Sequence, residues 1–351
     1  MNQPPQTAAL SNISASGTGQ VPSVGVVIPC YCESANILAV LAAIPADISR
    51  IYCVDDGCPQ STGEHIERHT KDERITVIYH ERNQGVGAAM RSGYRAALAD
   101  AMDLIVKLDG DGQMDPAEIQ DLLAPLLSND ADYAKGNRFY RLDGLTSMPL
   151  TRLFGNVVLS FVSKLSTGYW QLFDPNNGFT AIDARVLELV PLDDIDDGYF
   201  FEADMLFRLN TLRAVVVDVP MRARYGDEKS SIRLPRVTMV FAVKHTINFF
   251  KRLTYNYLLR GFSVASVEWI AGPLALGFGL VFGVSQWMQS VETGVAATAG
   301  TVMLASLPMI IGMQMLLSAI HFDIGNEPRV PLRRMFSGRG QHAPGKPPDP
   351  A

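Results

Sequence analysis

The chain has 351 residues, of which 47% are hydrophobic and 19% charged, and a formal net charge of −6 at pH 7. That length holds one large domain with an appendage, and the acidic balance gives no reason to expect a nucleic-acid partner. The apolar excess gathers near the C-terminus, which excludes an ordinary soluble protein throughout.

Residues 1–22, rich in Ser, Pro, Gln, Gly and Ala, read as a disordered leader. They lack a basic start and an apolar core, so no signal peptide is expected. Asn12-Ile13-Ser14 fits a glycosylation acceptor and is read as a chance match. From Val24 strands and helices alternate. Strands are expected at Val24–Pro29, Ile51–Val54, Ile75–Tyr79 and Leu104–Leu108. Helices are expected at Glu33–Ile44, Ser61–Thr70, Gly85–Ala101 and Pro116–Leu127. This alternation predicts an α/β fold, a mostly parallel sheet covered on both faces, with ligands beyond the carboxyl ends of its strands. The second half is less regular: a strand over 132–139, a helix over 152–165, a loop over 173–180, a helix over 200–212 and a strand over 214–219.

Val237–Leu259 mixes Phe, Tyr and Leu with Lys244, Lys251 and Arg252 and suits amphipathic helices in a membrane interface. Trp269–Trp287 and Val295–Ile320 carry no charge, and a span needs about 20 apolar residues. Lys251, Arg252 and Arg260 precede them, and Arg329, Arg333 and Arg334 follow. The positive-inside rule then puts both flanks, and the N-terminal domain, in the cytoplasm. Nine Lys or Arg against two acids between Arg222 and Arg260 form a basic collar, suited to a phosphorylated lipid. The expected division is a leader over 1–22, a catalytic domain over 23–235, interfacial helices over 236–261, a transmembrane hairpin over 262–322 and a cytoplasmic basic, Pro-rich tail over 323–351.

Asp109-Gly110-Asp111-Gly112-Gln113 follows the fourth strand. Two carboxylates two residues apart at a strand end suit one hard divalent cation, which neutralises a nucleotide diphosphate; the alternative is a solvated acidic turn. Asp55-Asp56 ends the second strand in the same way. Gly85-Val86-Gly87 opens a helix like a dinucleotide fingerprint, but Met90 stands at its third position and the downstream acid is doubled. Close helix packing beside a nucleotide is the preferred reading. Cys30, Cys32, Cys53 and Cys58 match no standard zinc spacing and are read as reduced thiols. His245 and His321 are read as structural, Asp174 as a turn cap or a site residue, and Lys107, in mid-strand, has no role from sequence.

Val27-Ile28-Pro29-Cys30-Tyr31, Val54-Asp55-Asp56-Gly57, Asn83-Gln84-Gly85-Val86-Gly87 and Asp109-Gly110-Asp111-Gly112-Gln113 stand in the order found in glycosyltransferase family 2. With Lys135-Gly136-Asn137-Arg138, Asn177-Gly178-Phe179 and Gly226-Asp227-Glu228-Lys229-Ser230, the chain resembles the polyprenyl-phosphate sugar transferases typified by dolichol-phosphate mannose synthases. The resemblance spans roughly residues 23–235 and implies a GT-A (Rossmann-like) nucleotide-sugar fold. It implies a donor pocket of Pro29, Tyr31, Glu33, Asp55, Asp56, Gly85 and Asp109, with Mg²⁺ or Mn²⁺ held by Asp109, Asp111 and Gln113. It places Arg138 at the acceptor or leaving phosphate, Glu202 and Asp204 beside sugar and acceptor, and Arg224 and Lys229 on anionic groups. Asp111, Arg138 and Asp204 are the implied catalytic residues.

The implied reaction is inverting transfer of one hexose, from a GDP- or UDP-sugar, to a polyprenyl phosphate at the membrane; a homo-oligomer is compatible with it. The sequence departs from the pattern at Cys32, where Asn is common, at Cys58, where Ser is common, and at Glu202-Ala203-Asp204, where Gln-x-Glu is common. A processive polysaccharide synthase is the second reading, but the Gln-x-x-Arg-Trp motif is absent. A non-catalytic membrane scaffold is the third, opposed by the intact Asp109, Asp111 and Arg138.

Overall fold

The computed structural model describes residues 21–138, 150–174, 177–222 and 234–337, with 150–156, 234–238 and 336–337 as backbone alone. β1 (Val24–Cys30) is apolar on both faces, and only Pro29 is noticeably exposed. Such a run suits a central parallel strand. It pairs in parallel with β2 (Arg50–Asp55) and β4 (Leu104–Lys107), and β2 pairs with β3 (Ile75–Tyr79). Helices α1 (Ile37–Ala43), α2 (Thr62–His69), α3 (Val86–Ala99) and α4 (Ile119–Leu127) link and follow these strands. Beyond β4 the sheet becomes mixed. β6 (Thr180–Asp183) runs antiparallel between β4 and β5 (Tyr133–Asn137), and β7 (Val216–Pro220) lies parallel to β5. The full order is β3-β2-β1-β4-β6-β5-β7.

Successive residues of β1 serve opposite layers, as the two-residue strand period requires. Val24, Val26 and Ile28 join Ile37, Leu41 and Leu122 in one buried cluster. Val27 joins Tyr52, Met90 and Tyr94 in the other, together with Phe201 and Met205. The latter two come from α7 (Phe201–Leu212), which follows α5 (Leu150–Thr167) and α6 (Ala184–Leu187). Two sequence expectations shift. Thr180, read as the end of a loop, opens β6, whose other residues had no expected element. The first helix starts at Ile37, four residues late, because the Glu33 carbonyl accepts from the N–H groups of Asn36 and Ile37 in a turn.

α8 (Leu234–Leu253) is inside out. Met239, Val243, Ile247 and Phe250 share its outward face, all strongly exposed, whereas His245, Asn248 and Arg252 are buried against the domain. A soluble helix has the opposite polarity. A π-helical stretch, Thr254–Arg260, leads into α9 (Val264–Thr293) and α10 (Ala299–Gly325). These two helices have 30 and 27 residues and are long and apolar enough to cross a membrane. At 1.5 Å per residue each exceeds the roughly 30 Å hydrocarbon core. They meet through small residues: a Cβ on Gly312 would come within 2.7 Å of the Gly272 carbonyl. Elsewhere their Leu, Ile, Val and Phe side chains point outward.

Asp323, near the end of α10, fastens this hairpin to the sheet domain. Its carboxylate accepts from Arg252 (2.7 and 2.9 Å), Tyr257 (2.5 Å) and Trp170 Nε1 (2.8 Å). Past the second long helix, α11 (Leu332–Ser337) returns to the domain, where the N–H groups of Leu332 and Arg333 donate to Asp132 (2.9 and 3.0 Å). Both ends of the hairpin therefore lie on the side of the sheet domain.

Candidate active site

In this sheet the order reverses at β1 and β4, and open α/β sheets bind their ligands in the crevice beyond the carboxyl ends of strands at such a point. Tyr31, at the end of β1, is exposed, and Glu33 packs beside Gly110, where an added Cβ would stand 3.3 Å from Glu33 Cγ. The β1 turn and the Asp109–Asp111 turn thus form adjoining walls. Asp111 is partly exposed, and its Oδ1 accepts from the N–H of Gln113 (2.9 Å) across Gly112, whose φ of +78° favours glycine.

Lys107 gives this site its floor. It is buried, and its Nζ lies 2.8 Å from Asp109 Oδ1 and 3.2 Å from Glu202 Oε1. Burial disfavours the ammonium, but the Asp109 and Glu202 carboxylates outweigh it and hold the pKa above that of an ordinary lysine. Gly178 lies against both partners: an added Cβ would collide with Lys107 Nζ and stand 2.7 Å from Asp109 Oδ2. The turn bearing Gly178 is fixed in turn. Lys135 donates to the Asn177 carbonyl, and Asn177 Nδ2 donates to the Gly136 carbonyl (2.8 Å). Burial, its main cause, pushes the Lys135 pKa down to about 8.

Arg138 follows β5 at the same rim. Its Nε and Nη2 donate to Asp174 (2.8 and 3.2 Å), a buried carboxylate. A two-point contact of this kind fixes a guanidinium in orientation. Asp174 therefore holds Arg138.

Asp55 and Asp56 have another task. The two oxygens of Asp55 accept from the N–H groups of Cys58 (2.7 Å) and Gly63 (2.6 Å). Those of Asp56 accept from Gln84 N–H (2.9 Å), Gly85 N–H (2.8 Å) and His80 Nδ1 (2.7 Å). Both are buried, at 4% and 3% exposure, and anchor loops. Gly85 is bound to this anchor, and its φ of +101° and close contact with the Asp197 carbonyl leave no room for a side chain. The first α3 amides, Gly87 and Ala88, donate to that same carbonyl (2.8 and 3.2 Å), so the dinucleotide-like glycines close a loop over the helix end.

Asp204 is buried at 6% exposure. Two residues along α7 from Glu202, it accepts from Asn248 of α8 (2.9 Å), Arg208 (3.1 Å) and the Asp196 N–H (3.1 Å). The spacing places neighbouring acids on different faces of a helix. His245 lies buried between α5 and α8, 2.7 Å from Ser166 Oγ, and burial pushes its pKa down to about 4. Arg224 and Lys229 lie outside the described residues. Lys107 had no role from sequence, and Asp174, read as a turn cap or a site residue, is the carboxylate that binds Arg138. A charge inside an apolar strand was the signal available for Lys107.

Among the described residues no group of three or more His, Cys, Asp or Glu side chains forms a ready metal cage. Mg²⁺ is ordinarily held by one or two carboxylates together with substrate phosphates. Asp109 and Asp111 fit a cation that arrives with a diphosphate.

A doubly covered sheet with an acidic turn at its switch point and a fixed arginine on the same rim has the GT-A architecture, and two helices long and apolar enough to cross a membrane follow it. Residues 25–190 match the model of glycosyl transferase family 2. The chain belongs to that family and is a glycosyltransferase. It is 29% identical over 214 residues to the undecaprenyl-phosphate mannosyltransferase of Micrococcus luteus, covering 58% of this chain and 86% of that one. It is 26% identical over 239 residues to the UDP-N-acetylglucosamine–dolichyl-phosphate N-acetylglucosaminyltransferase of Methanococcus voltae, covering 64% and 94%. Glucosyl-3-phosphoglycerate synthase of Mycobacterium tuberculosis, solved with Mn²⁺, UDP and glucosyl-3-phosphoglycerate, shares the fold with a TM-score of 0.52 and 19% identity, over 72% of this chain and 86% of that one.

Proposed function

We propose that this enzyme transfers a single hexose from a nucleotide sugar to a polyprenyl phosphate at the cytoplasmic face of a membrane, with inversion and with Mg²⁺ or Mn²⁺. The observation that carries the reading is the short path from site to membrane. Glu202 reaches Lys107 in the crevice floor, and two residues later Asp204 binds Asn248 on the inside-out helix. A site so close to a lipid-facing helix suits an acceptor whose phosphate stays at the membrane surface. The two named relatives act on polyprenyl phosphates by their own descriptions.

The proposed domain division follows the sequence expectation: a catalytic unit over 23–235, an interfacial segment over 236–261, a hairpin over 262–322 and a basic tail over 323–351. The basic flanks favour the cytoplasmic side for the catalytic unit.

A phosphate acceptor is already anionic at neutral pH and needs no strong general base. Its oxygen attacks the anomeric carbon as the nucleoside diphosphate leaves, one displacement that inverts the centre. When bound, the divalent ion supplies electrostatic stabilisation of the leaving diphosphate. Asp109, Asp111 and Gln113 would hold it. Lys107 fixes Asp109 so that one oxygen stays bound to the ammonium. Arg138, oriented by Asp174, compensates phosphate charge in the transition state. Tyr31 and Glu33 line the nucleoside side, with GDP- and UDP-hexoses as the donor classes. Arg224 and Lys229 belong to the same proposal as contacts to anionic groups.

A donor screen tests this. Full-length enzyme in detergent is given a short polyprenyl phosphate and labelled nucleotide hexoses, with and without EDTA. One donor should label the lipid, only with divalent metal. No lipid labelling from any nucleotide hexose would refute the acceptor class, and full activity in EDTA would refute the metal.

A further inference from the structure

Two of the departures from the family pattern, Cys32 and Cys58, turn out to touch. The Cys58 sulfur accepts from the Cys32 N–H at 3.1 Å. Cys32 is exposed at the mouth of the crevice, between Tyr31 and Glu33, whereas Cys30 and Cys53 are buried in the sheet at 1% and 0% exposure. Cys32 also has φ of +64°, a strained conformation for a non-glycine residue.

We propose that Cys32 and Cys58 are a site of reversible oxidation, in which a peroxide joins the two thiols as one disulfide and weakens nucleotide binding. The surroundings divide the labour. Burial raises the Cys58 pKa, but hydrogen bonds from Thr62, Cys32 and Gln60 outweigh it and hold the thiol below its ordinary value. Desolvation, then the nearby Cys58, raises that of Cys32. Cys58 is the attacking sulfur and Cys32 the resolving one.

The Cys58 thiolate attacks the peroxide: an S–O bond forms, the O–O bond breaks and hydroxide leaves. Cys32 then attacks the Cys58 sulfur: the S–S bond forms, the S–O bond breaks and water leaves with the thiol proton. In sum, two thiols and one hydrogen peroxide give one disulfide and two waters. A dithiol reverses this by exchange and is itself oxidised to a disulfide. Transient disulfides of this kind suit a reducing compartment. The bond ties the turn after β1 to the turn after β2 and removes Cys58 as acceptor for the Cys32 N–H. Tyr31 and Glu33 flank the altered residue, so the proposed nucleoside pocket changes shape.

The inference rests on the nucleotide-binding reading above, so the experiment separates the two. Full-length protein in detergent is reduced or treated with hydrogen peroxide. Peptide mass spectrometry follows the cross-link, and titration with UDP and GDP in the presence of Mn²⁺ follows binding. Peroxide should link the Cys32 and Cys58 peptides with loss of two hydrogens, and weaken binding by about tenfold, a shift dithiothreitol reverses. Cys32→Ser should abolish both the link and the peroxide effect, and Cys53→Ser should keep both. A link between other cysteines, no link, or a link without change in affinity would overturn the inference. If the reduced protein binds neither nucleotide, the functional reading fails instead, and the cross-link still reports on the cysteine pair.

Discussion

The two strand ends that carry paired aspartates look alike in sequence and do different things. After β2, Asp55 and Asp56 face inward and hold the amides of four residues, Cys58, Gly63, Gln84 and Gly85. After β4, Asp109 and Asp111 lie at the crevice, one bound to Lys107 and the other partly exposed. The difference arises from spacing and surroundings. Adjacent aspartates in a tight turn can each collect backbone donors from neighbouring loops. Aspartates separated by one glycine project from an open turn, where a cation with its own phosphate ligands can reach them. The acidic pair after β2 is thus tied to amides 3 to 29 residues away, whereas Asp111 accepts from the amide two residues on and Asp109 from the Lys107 ammonium.

Substitutions can break this contrast. The largest effect is expected at Lys107. Lys107→Met leaves the Glu202 and Asp109 carboxylates without their shared cation, and loss of one partner from a buried pair costs about 3–5 kcal/mol. Thermal or chemical unfolding should show it, with activity lost as well. A variant of native stability would mean that Lys107 does not organise the site floor.

Asp111→Asn should act oppositely, abolishing transfer while leaving the unfolding midpoint unchanged. Replacing residues that merely support a ligand weakens metal binding by about 10–100-fold. A direct ligand should cost at least about a hundredfold in turnover. Near-normal turnover with Mg²⁺ or Mn²⁺ would remove Asp111 from the metal site.

Asp55→Asn should be the mildest and mainly structural. One of its two buried amide partners would face an NH₂ group, at about 1–3 kcal/mol. Metal concentration for half-maximal activity should not move. A shift in that concentration, without loss of stability, would make the two acidic pairs alike after all.

The N-terminal half of the fold was legible because β1, β2 and β4 are buried on both faces and read as apolar runs between helical segments. β6 was not, since its four residues follow an Asn-Gly turn and pair with distant strands that no local pattern reveals. The acidic turn and Arg138 were visible as motifs. The anchoring work of Asp55, Asp56 and Gly85 was not, because backbone donors arrive from 3 to 29 residues away, most of them from other loops. The contacts of Asp204 with Asn248 and Arg208 were not legible, because a motif carries no record of which helical face it meets. The hairpin showed in composition, whereas its clamp, Asp323 with Arg252, depended on a contact across 71 residues.

The central claim, transfer of one sugar to a lipid phosphate by a single displacement, is most directly tested by the product. Full-length enzyme is incubated with a polyprenyl phosphate and the α-linked nucleotide hexose it accepts, and the purified glycolipid is examined by NMR and mass spectrometry. The account predicts one hexose per lipid, β-linked to phosphate and released as free hexose by mild acid. An α-linked product, or a lipid carrying a chain of sugars, would contradict it.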